Sequence, residues 1–446
     1  MKNRLLIIIL ILAALLRLGV ALALGDQVEI LPGTFDQISY HTLATRLLDG
    51  HGFTMPAQWW PITPAGEPTA HWSYLYTFYL VGVYAIFGTH ALAARLLQAL
   101  LAGLLMPWLA YRLAQRLFPG KSLRLWRLEL SPALLAAAWV AFYPYFLYYA
   151  GSLMTETFYI TAILWSLDRA LSIIYTDDGD ALHRRHPYKN YFLLGLALAL
   201  TVLLRQVFLP FVPCIFLWLW WACARQAGWK PALKPVLLGG LLCALLLALC
   251  IAPFTLLNYQ HFGRFVLLNT NAGYAFFWAN HPVHGYSFVS LFTPDMPSYQ
   301  ELIPQELRHL NEAALDQALL KLGLGFVLED PLRFLSLCVT RIPAHFIFWP
   351  LPGSSLPSNL TRLASIGLAL PFMLAGALLW VLDARRARLD PRPGALLALF
   401  CFVYVGIHLL SWAGIRYRLP TDAVALVFAA YALWRFLAWA TFLRRK

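Results

Sequence analysis

Ten apolar stretches of this sequence are long enough, or nearly long enough, to cross a bilayer as α-helices. The hydrocarbon core of a bilayer is about 30 Å thick and needs about 20 apolar residues of helix. Only 12% of the residues are charged, against about 25% in a soluble domain. The chain is therefore predicted to be an all-α polytopic membrane protein. The ten predicted spans are 5–24, 92–117, 132–149, 156–175, 191–205, 208–224, 235–257, 363–381, 395–412 and 419–442.

The basic residues of the loops fall on one side of the membrane if all ten stretches span it. Cytoplasmic loops of membrane proteins carry an excess of Lys and Arg, so the formal net charge of +13 does not indicate nucleic-acid binding. Both termini are predicted to be cytoplasmic, in a multi-pass protein of the plasma (cell inner) membrane. The basic clusters are Lys2 and Arg4; Arg116, Lys121, Arg124 and Arg127; Arg184, Arg185 and Lys189; Arg225, Lys230 and Lys234; Arg385, Arg386, Arg388 and Arg392; and Arg444, Arg445 and Lys446.

Two further apolar stretches, 72–88 and 332–350, are predicted to be helices on the outer surface rather than spans. If the first one crossed the membrane, the middle basic clusters would move to the outer side. The second one contains Arg333, Arg341 and His345. A charge at the centre of a bilayer costs about 2.5–3.5 kcal/mol, so these residues fit a surface helix better.

The chain is interpreted as one membrane domain, 1–446, with long outer segments at 25–91 and 258–361. Its basic and then apolar start is similar to a signal peptide. The apolar run has the length of a span, about 20 residues, and contains Arg17, so we expect a retained first helix.

The six cysteines lie in apolar stretches without Cys-x-x-Cys spacing, which predicts neither a disulfide framework nor a zinc site.

With this topology, separate segments bring polar residues to the outer side of the membrane. Each has a structural alternative: Asp36 as the N-cap of a helix over 37–48, Glu156 as the partner of a Thr155 cap, and the others as headgroup anchors. Their convergence on the face opposite the basic clusters favours a site. These residues are Asp36 and Tyr40 in the first outer loop, His71 at the start of the first surface helix, Glu156 at the start of a span, Arg205 in an outer turn, and Arg416, Tyr417 and Arg418 before the last span.

This combination of residues suits glycosyl transfer from a lipid phosphate. Arginine binds phosphate bidentately and with permanent charge, and a carboxylate can deprotonate a hydroxyl. We expect Asp36 to act as the base while the arginines stabilise charge that grows on the departing phosphate. Attack from the face opposite the phosphate would invert the anomeric carbon.

The order of several motifs resembles the GT-C membrane glycosyltransferases, in particular a bacterial branch similar to glycosyltransferase family 39, related to the protein O-mannosyltransferases and the aminoarabinose lipid A transferase. Each motif is loose, but together they extend over most of the chain. They are Asp36 and Tyr40 followed by Ala44-x-x-Leu47-Leu48-x-Gly50-x-Gly52-Phe53; Phe87-Gly88 and then Ala94-Arg95-Leu96-Leu97-Gln98; Leu153-Met154-Thr155-Glu156-Thr157; Leu203-Leu204-Arg205; Asn271-Ala272-Gly273-Tyr274 with Trp278-Ala279-Asn280-His281-Pro282; and Arg416-Tyr417-Arg418-Leu419-Pro420.

The resemblance implies a GT-C fold of about ten transmembrane helices plus outer juxtamembrane helices. It implies an inverting enzyme that uses a polyprenyl-phosphate sugar and a glycan, lipid or protein acceptor within the lipids of the membrane. By this resemblance Asp36 is the catalytic residue. The implied substrate-binding residues are Tyr40, His71, Glu156, Arg205, Tyr274, Arg416, Tyr417 and Arg418, although the residues by themselves favour Tyr274 as an interfacial aromatic.

The sequence departs from this family pattern in ways that bear on metal use. Some members of the wider class bind a divalent ion through paired acids of the first loop, whereas Gln37 follows Asp36 here. His281, His284 and Asp295 have no tight ligand spacing. We expect no required cofactor and no metal site.

Two other functions remain as alternatives at this stage. A polymerase or ligase for lipid-linked glycans would also use outer arginines. A transporter or flippase would place polar residues deep within its spans, and Asp168 is the exception in spans that are almost free of carboxylates. The adjacent Arg169 is expected to pair with it.

Overall fold

The computed structural model describes residues 2–125, 128–175, 187–289 and 297–443. Arg127, Arg184, Arg185, Asp295 and the basic residues 444–446 lie outside these ranges. The helices are α1 Lys2–Leu24, α2 Asp36–Leu48, α3 Tyr74–Phe87, α4 Ala91–Leu117, α5 Pro132–Phe142, α6 Pro144–Gly151, α7 Glu156–Ile174, α8 Pro187–Leu204, α9 Phe211–Ala227, α10 Trp229–Phe262, α11 Ala272–Asn280, α12 Glu312–Glu329, α13 Pro331–His345, α14 Leu356–Arg362, α15 Leu368–Arg385, α16 Pro391–Leu410 and α17 Ile415–Leu443.

Shorter elements join some of these helices. Strands β1 (Leu123–Leu125) and β2 (Leu128–Leu130) pair in antiparallel register, with Leu123 opposite Leu130. A π-helical turn over Leu363–Gly367 joins α14 to α15, and 3-10 turns cover Gln206–Phe208, Pro282–His284 and Gln305–Leu307.

Several helices begin with a side-chain cap followed by proline. Ser131 accepts a hydrogen bond from the Leu134 N–H just before Pro132, and Asp390 accepts one from the Arg392 N–H just before Pro391. Such caps satisfy backbone donors that have no partner within the helix, and proline lacks the N–H that would be unpaired there. The same residues in the sequence therefore locate the starts of α5 and α16.

Within the part of the chain that the structure describes, eight helical segments are long and apolar enough to cross a membrane, and a ninth if the bent pair α5 and α6 counts as one span. The chain is a multi-pass membrane protein. The predicted span 132–149 is wrong as a straight helix, because α5 and α6 meet at 50°. Pro144 begins α6, and proline in a helix interior removes a hydrogen bond and clashes with the preceding turn. The predicted span 191–205 lies in α8, whose apolar segment Tyr188–Leu204 is shorter than a full span.

The two predicted surface stretches form α3 and α13, and neither is among the eight long apolar segments. Arg333, Arg341 and His345 of α13 are all buried within the protein. The Arg341 guanidinium donates to the carbonyl of Leu409 at 3.0 Å and to Asn280 Oδ1 at 2.9 Å. A buried cation needs such partners, and these bonds join α13 to the end of α11 and to the last turn of α16.

The helices pack closely at small residues, as membrane helices do where small side chains let backbones approach. A Cβ added at Gly103 of α4 would lie 2.5 Å from the Cα of Ala14 in α1, and one at Gly376 of α15 would lie 1.9 Å from the Phe428 carbonyl oxygen of α17.

The second outer segment has its own apolar cluster, which contains Tyr274, Phe277 and Trp278. Trp60 and Ile62 of the first outer segment and Trp412 pack against this cluster.

Candidate active site

Four charged side chains from four separate parts of the chain form one alternating network. Asp36 Oδ2 accepts from Arg416 Nη1 at 2.7 Å. Arg416 Nε lies 3.1 Å from Glu156 Oε1, and Arg205 Nη2 donates to the same Glu156 oxygen. The structure therefore brings together the carboxylates of α2 and α7 with the guanidiniums of α17 and of the α8–α9 junction.

The helix starts that carry the two carboxylates differ from the expected caps. Asp36 is the first residue of α2, and Phe35 occupies the N-cap position without a side-chain cap bond, so the prediction of Asp36 as an N-cap is wrong. Thr155 occupies the N-cap position of α7 but also makes no cap bond. Its hydroxyl instead accepts from Arg205 Nε at 2.7 Å. Both helix starts are thus used to bind arginine.

Exposure varies along the network in a way that matters for its chemistry. The side chains of Asp36 and Arg416 are 20% and 19% exposed, whereas those of Arg205 and Glu156 are 17% and 2% exposed. Burial lowers the pKa of Arg205, and the nearby Glu156 carboxylate raises it. The net shift of this pKa is upward. Glu156 is therefore the buried centre of the network and holds two guanidiniums side by side, whereas Asp36, Arg416 and Arg205 are each partly exposed around it.

Aromatic rings line the arginines of this network. The guanidinium of Arg416 lies 5.0 Å from the centroid of the Tyr417 ring, and that of Arg205 lies 5.6 Å from the Tyr159 ring. The Tyr417 hydroxyl accepts from Arg416 Nη2 at 3.1 Å. Rings at these distances attract cations, so Tyr417 contacts the network through Arg416.

Tyr40 lies one helical turn after Asp36 and is buried beneath it. Its ring contacts the rings of Trp72 and Tyr76 edge to face, and its hydroxyl accepts from the Ser73 N–H at 3.4 Å. Burial raises the pKa of this hydroxyl, which therefore stays protonated. Tyr40 positions the first turn of α2 against the start of α3.

Arg418 does not join the network, although it is only two residues from Arg416. It is completely buried, its Nε donates to Asp422 Oδ1 at 3.0 Å, and its Nη1 donates to the His345 carbonyl at 2.7 Å. The predicted start of the last helix at 419 is wrong, because α17 begins at Ile415. Residues two apart on a helix point in directions about 200° apart, so the two arginines face different neighbours.

His71 and Tyr274 lie outside the network. The His71 ring packs on the Trp72 ring at 4.7 Å, and burial lowers the pKa of His71, which keeps it neutral. Tyr274 is buried, with its ring 5.9 Å from that of Trp60. The Tyr274 N–H donates to Asp316 Oδ1 at 3.0 Å.

A buried carboxylate that the sequence did not indicate holds the two outer segments together. Glu312 accepts from the Ala70 N–H at 2.8 Å and from the Thr63 hydroxyl at 2.5 Å, and the Thr270 hydroxyl also donates to it. Nearby, Asn269 donates to the Trp72 carbonyl at 2.8 Å. Local sequence shows Glu312 only as an acidic residue in the first turn of α12, where it suits the helix dipole.

We expect the substitution Glu312→Gln to lower the free energy of unfolding by about 1–3 kcal/mol, because the amide NH₂ would face buried donors and leave at least one unpaired. Equilibrium unfolding of the detergent-solubilised protein would measure this change. Glu306→Gln, at an exposed position of the same segment, is the matched control and should change stability by less than about 0.5 kcal/mol. Equal effects of the two substitutions would contradict this role of Glu312.

No known protein-family model matches the sequence, and no curated protein is significantly similar to it. Among solved structures, the archaeal oligosaccharyltransferase AglB from Archaeoglobus fulgidus, in complex with an inhibitory peptide and a dolichol-phosphate, matches with a TM-score of 0.59 and 16% identity, over 100% of this chain and 52% of that chain. The chain has the GT-C fold. This confirms the predicted fold class, and the chain spans about half the length of the oligosaccharyltransferase.

Two further structures were similar to this GT-C chain. The same oligosaccharyltransferase in complex with Zn and sulfate matches with a TM-score of 0.58 and 17% identity, over 97% of this chain and 50% of that one. ArnT from Cupriavidus metallidurans in the apo state gives a TM-score of 0.40 and 14% identity, over 95% and 77%. The TM-score of 0.40 neither supports nor contradicts the predicted resemblance to the bacterial branch of GT-C enzymes.

Proposed function

We propose that this protein is an inverting glycosyltransferase that moves a sugar from a polyprenyl-phosphate donor to an acceptor hydroxyl at the outer face of the membrane. The observation that carries the proposal is the ion pair between Asp36 and Arg416, continued through Glu156 to Arg205. A base and two phosphate-binding cations thus lie within one connected and partly exposed group of side chains.

The pairing suggests how donor binding prepares the base. A donor phosphate would compete with Asp36 for Arg416, since guanidinium binds phosphate bidentately. Arg416 would keep its bond to Glu156, so the cation stays in place while Asp36 turns to the acceptor. Because Glu156 already neutralises part of the arginine charge, the phosphate can both bind and leave.

The transfer step balances without a further reactant. The acceptor oxygen forms a bond to the anomeric carbon, while the bond from that carbon to the phosphate oxygen breaks. The acceptor proton goes to the Asp36 carboxylate, and the polyprenyl phosphate leaves with the electron pair. The arginines stabilise the negative charge that develops on it, the effect that preorganised donors provide in a transition state.

The proposal includes no metal ion. The position after Asp36 offers an amide rather than a second carboxylate, and Gln37 is buried and engaged elsewhere. Its Nε2 donates to Thr34 Oγ1 at 3.2 Å, and its Oε1 accepts from Arg95 Nη2 at 3.3 Å. Among the described residues, no group of three or more His, Cys, Asp or Glu residues is placed to hold a metal.

The likeness to the oligosaccharyltransferase bears on the choice of substrate class. The structure of the oligosaccharyltransferase with this fold contains a dolichol-phosphate, which supports a prenol-type donor here. The same likeness keeps a glycan polymerase or ligase as the second candidate. Incubation with a monosaccharide donor and an oligosaccharide donor, followed by mass analysis of the products, would separate the two functions.

The transporter alternative gains no support from Asp168, the carboxylate that lies within the span of α7. Asp168 Oδ1 accepts from Arg112 Nε at 3.0 Å, and Asp168 also pairs with Arg169 as predicted. Arg116 Nε lies 3.3 Å from the same carboxylate. This acid is therefore neutralised by three arginines, which suits an internal structural role.

We expect Arg205→Gln to weaken binding of undecaprenyl phosphate by about 10- to 100-fold, because hydrogen bonds to charged groups contribute about 1.5–3 kcal/mol. Binding of this lipid to the protein in neutral detergent would be measured directly, and acceptor dependence would be measured separately as KM. Arg264→Gln is the matched control, since Arg264 is exposed in the outer segment. Equal losses of donor and acceptor binding would contradict a phosphate-binding role for Arg205.

A further inference from the structure

An arginine-lined cavity lies at the end of the helical bundle opposite the charge network. It has a volume of about 590 Å³ and lies where α9 ends and the turn between α15 and α16 begins. Arg205 lies just before the start of α9, and Arg416 lies just after the end of α16. Since α9 has 17 residues and a helix rises 1.5 Å per residue, the cavity lies about 25 Å from the network.

The charge of this cavity favours an anion. Three arginines and one aspartate line it, Arg225, Arg388, Arg392 and Asp390, for a net charge of +3 − 1 = +2. Arg392 Nη2 donates to Asp390 Oδ2 at 2.6 Å, which neutralises that pair. Arg225 is exposed, and Arg388 is 57% exposed with its nearest carboxylate oxygen, from Asp383, at 3.7 Å. Arg225 and Arg388 are thus the exposed guanidiniums of the lining, and a ligand phosphate could replace the 3.7 Å ion pair of Arg388 with Asp383, since exposed ion pairs contribute only about 0–1 kcal/mol.

The backbone of the cavity wall is strained at the position that orients Arg388. Ala387 has φ +53°, in the left-handed region that residues with a Cβ rarely adopt. The Arg388 N–H donates to the Asp383 carbonyl at 2.9 Å, which closes the turn. Strained residues of this kind cluster at ligand-binding sites, where the strain places a side chain. This turn directs Arg388 to the cavity opening.

The surroundings identify the ligand class as a lipid. Leu217 of α9 and Phe402 of α16 are 62% and 80% exposed apolar side chains on the helices that lead to the cavity. The Arg225 guanidinium lies 5.8 Å from the Trp221 ring, and tryptophan is enriched at the boundary between lipid and water. A lipid whose tails lie along these helices would bring its phosphate to the cavity.

We propose that this cavity binds the headgroup of an anionic phospholipid at the membrane face opposite the charge network. The two accessible arginines would contact the phosphodiester, and the lipid tails would cover the apolar flanks of α9 and α16. This interaction does not depend on sugar transfer, so it can be tested even if the proposed catalytic function fails.

The test uses the full-length protein in neutral detergent, titrated with phosphatidylglycerol or with phosphatidylcholine and observed by native mass spectrometry. The wild type should bind phosphatidylglycerol more tightly than phosphatidylcholine, and Arg388→Gln should weaken phosphatidylglycerol binding about fivefold, the contribution of one arginine near an anionic lipid. Arg388→Lys keeps the charge and should retain most of this binding. Arg264→Gln removes an exposed charge at the other end of the bundle and should have no effect.

Two outcomes would overturn the proposal. One is equal affinity of the wild type for the two lipids. The other is a loss in Arg388→Gln no greater than that in Arg264→Gln. Because Arg388 is largely exposed, its substitution should leave folding unchanged, and an unaltered elution volume in size-exclusion chromatography would establish this.

Discussion

Replacing Asp36 with asparagine should reduce sugar transfer by about 10²- to 10⁴-fold, the usual contribution of a general base. The substitution keeps the shape of the side chain but removes the charge that accepts the acceptor proton. Arg416 would still have Glu156 Oε1 at 3.1 Å and the Tyr417 hydroxyl at 3.1 Å, so no buried cation loses its last partner. The protein should therefore fold normally and still bind undecaprenyl phosphate.

The measurement is transfer from a panel of polyprenyl-phosphate sugars by the purified protein in detergent, with donor binding measured on the same samples. Asp49→Asn is the matched control, because Asp49 lies exposed just after the other end of α2. This variant should transfer sugar at the wild-type rate. Retention of near wild-type transfer by Asp36→Asn would remove Asp36 as the base, whereas loss of folding would assign it a structural role.

Replacing Glu156 with alanine should lower the free energy of unfolding by about 3–5 kcal/mol, the cost of removing one partner from a buried ion pair. Glu156 is almost completely buried and is shared by Arg205 and Arg416. Without it, two guanidiniums would lie side by side, with Asp36 as the nearest remaining carboxylate. Glu156→Gln should cost less, because the amide oxygen can still accept one of the hydrogen bonds.

Equilibrium unfolding in mixed detergent micelles would compare these two variants with the wild type. Glu67→Ala, an exposed acid of the first outer segment, is the control and should stay within about 0.5 kcal/mol of the wild type. A Glu156→Ala protein as stable as this control would show that the network is not a buried ion pair in the protein. If the Glu156→Gln protein were less stable than the Glu156→Ala protein, the expected hydrogen bond to the amide oxygen would be contradicted.

These two predictions assign different tasks to the two carboxylates of the network. Asp36 is 20% exposed and is expected to change partner when the donor binds. Glu156 is buried and is expected to hold the arginines throughout. Two guanidiniums side by side repel each other, and the Glu156 carboxylate that both contact offsets this repulsion.

Much of the fold follows from sequence patterns that act locally. Apolar length and sparse charge predict membrane helices because unpaired backbone groups and charges are costly in lipid. The caps at Ser131 and Asp390 locate two helix starts. The bend at Pro144 was missed because an apolar run shows where a chain can enter the membrane but not whether one proline breaks the helix within it.

The candidate site was predicted as a set of residues but not as a geometry. Asp36, Glu156, Arg205 and Arg416 were predicted as site residues because they lie beside the outer ends of predicted helices. The structure brings these four side chains together. Arg418 was grouped with Arg416 because the last helix was expected to begin later. Once α17 begins at Ile415, the helical rotation between the two residues turns Arg418 to Asp422.

The sequence by itself determined that this chain is a bundle of membrane helices with ionisable groups at their ends, because hydrophobic length and charge cost act on each segment separately. Only the tertiary structure decided which acid meets which arginine, and that Glu312 of the second outer segment bonds to Ala70 and Thr63 of the first, 242 and 249 residues away. Such pairings depend on the direction of each side chain across helix contacts. That direction is set by packing between segments far apart in the chain, which no local pattern records.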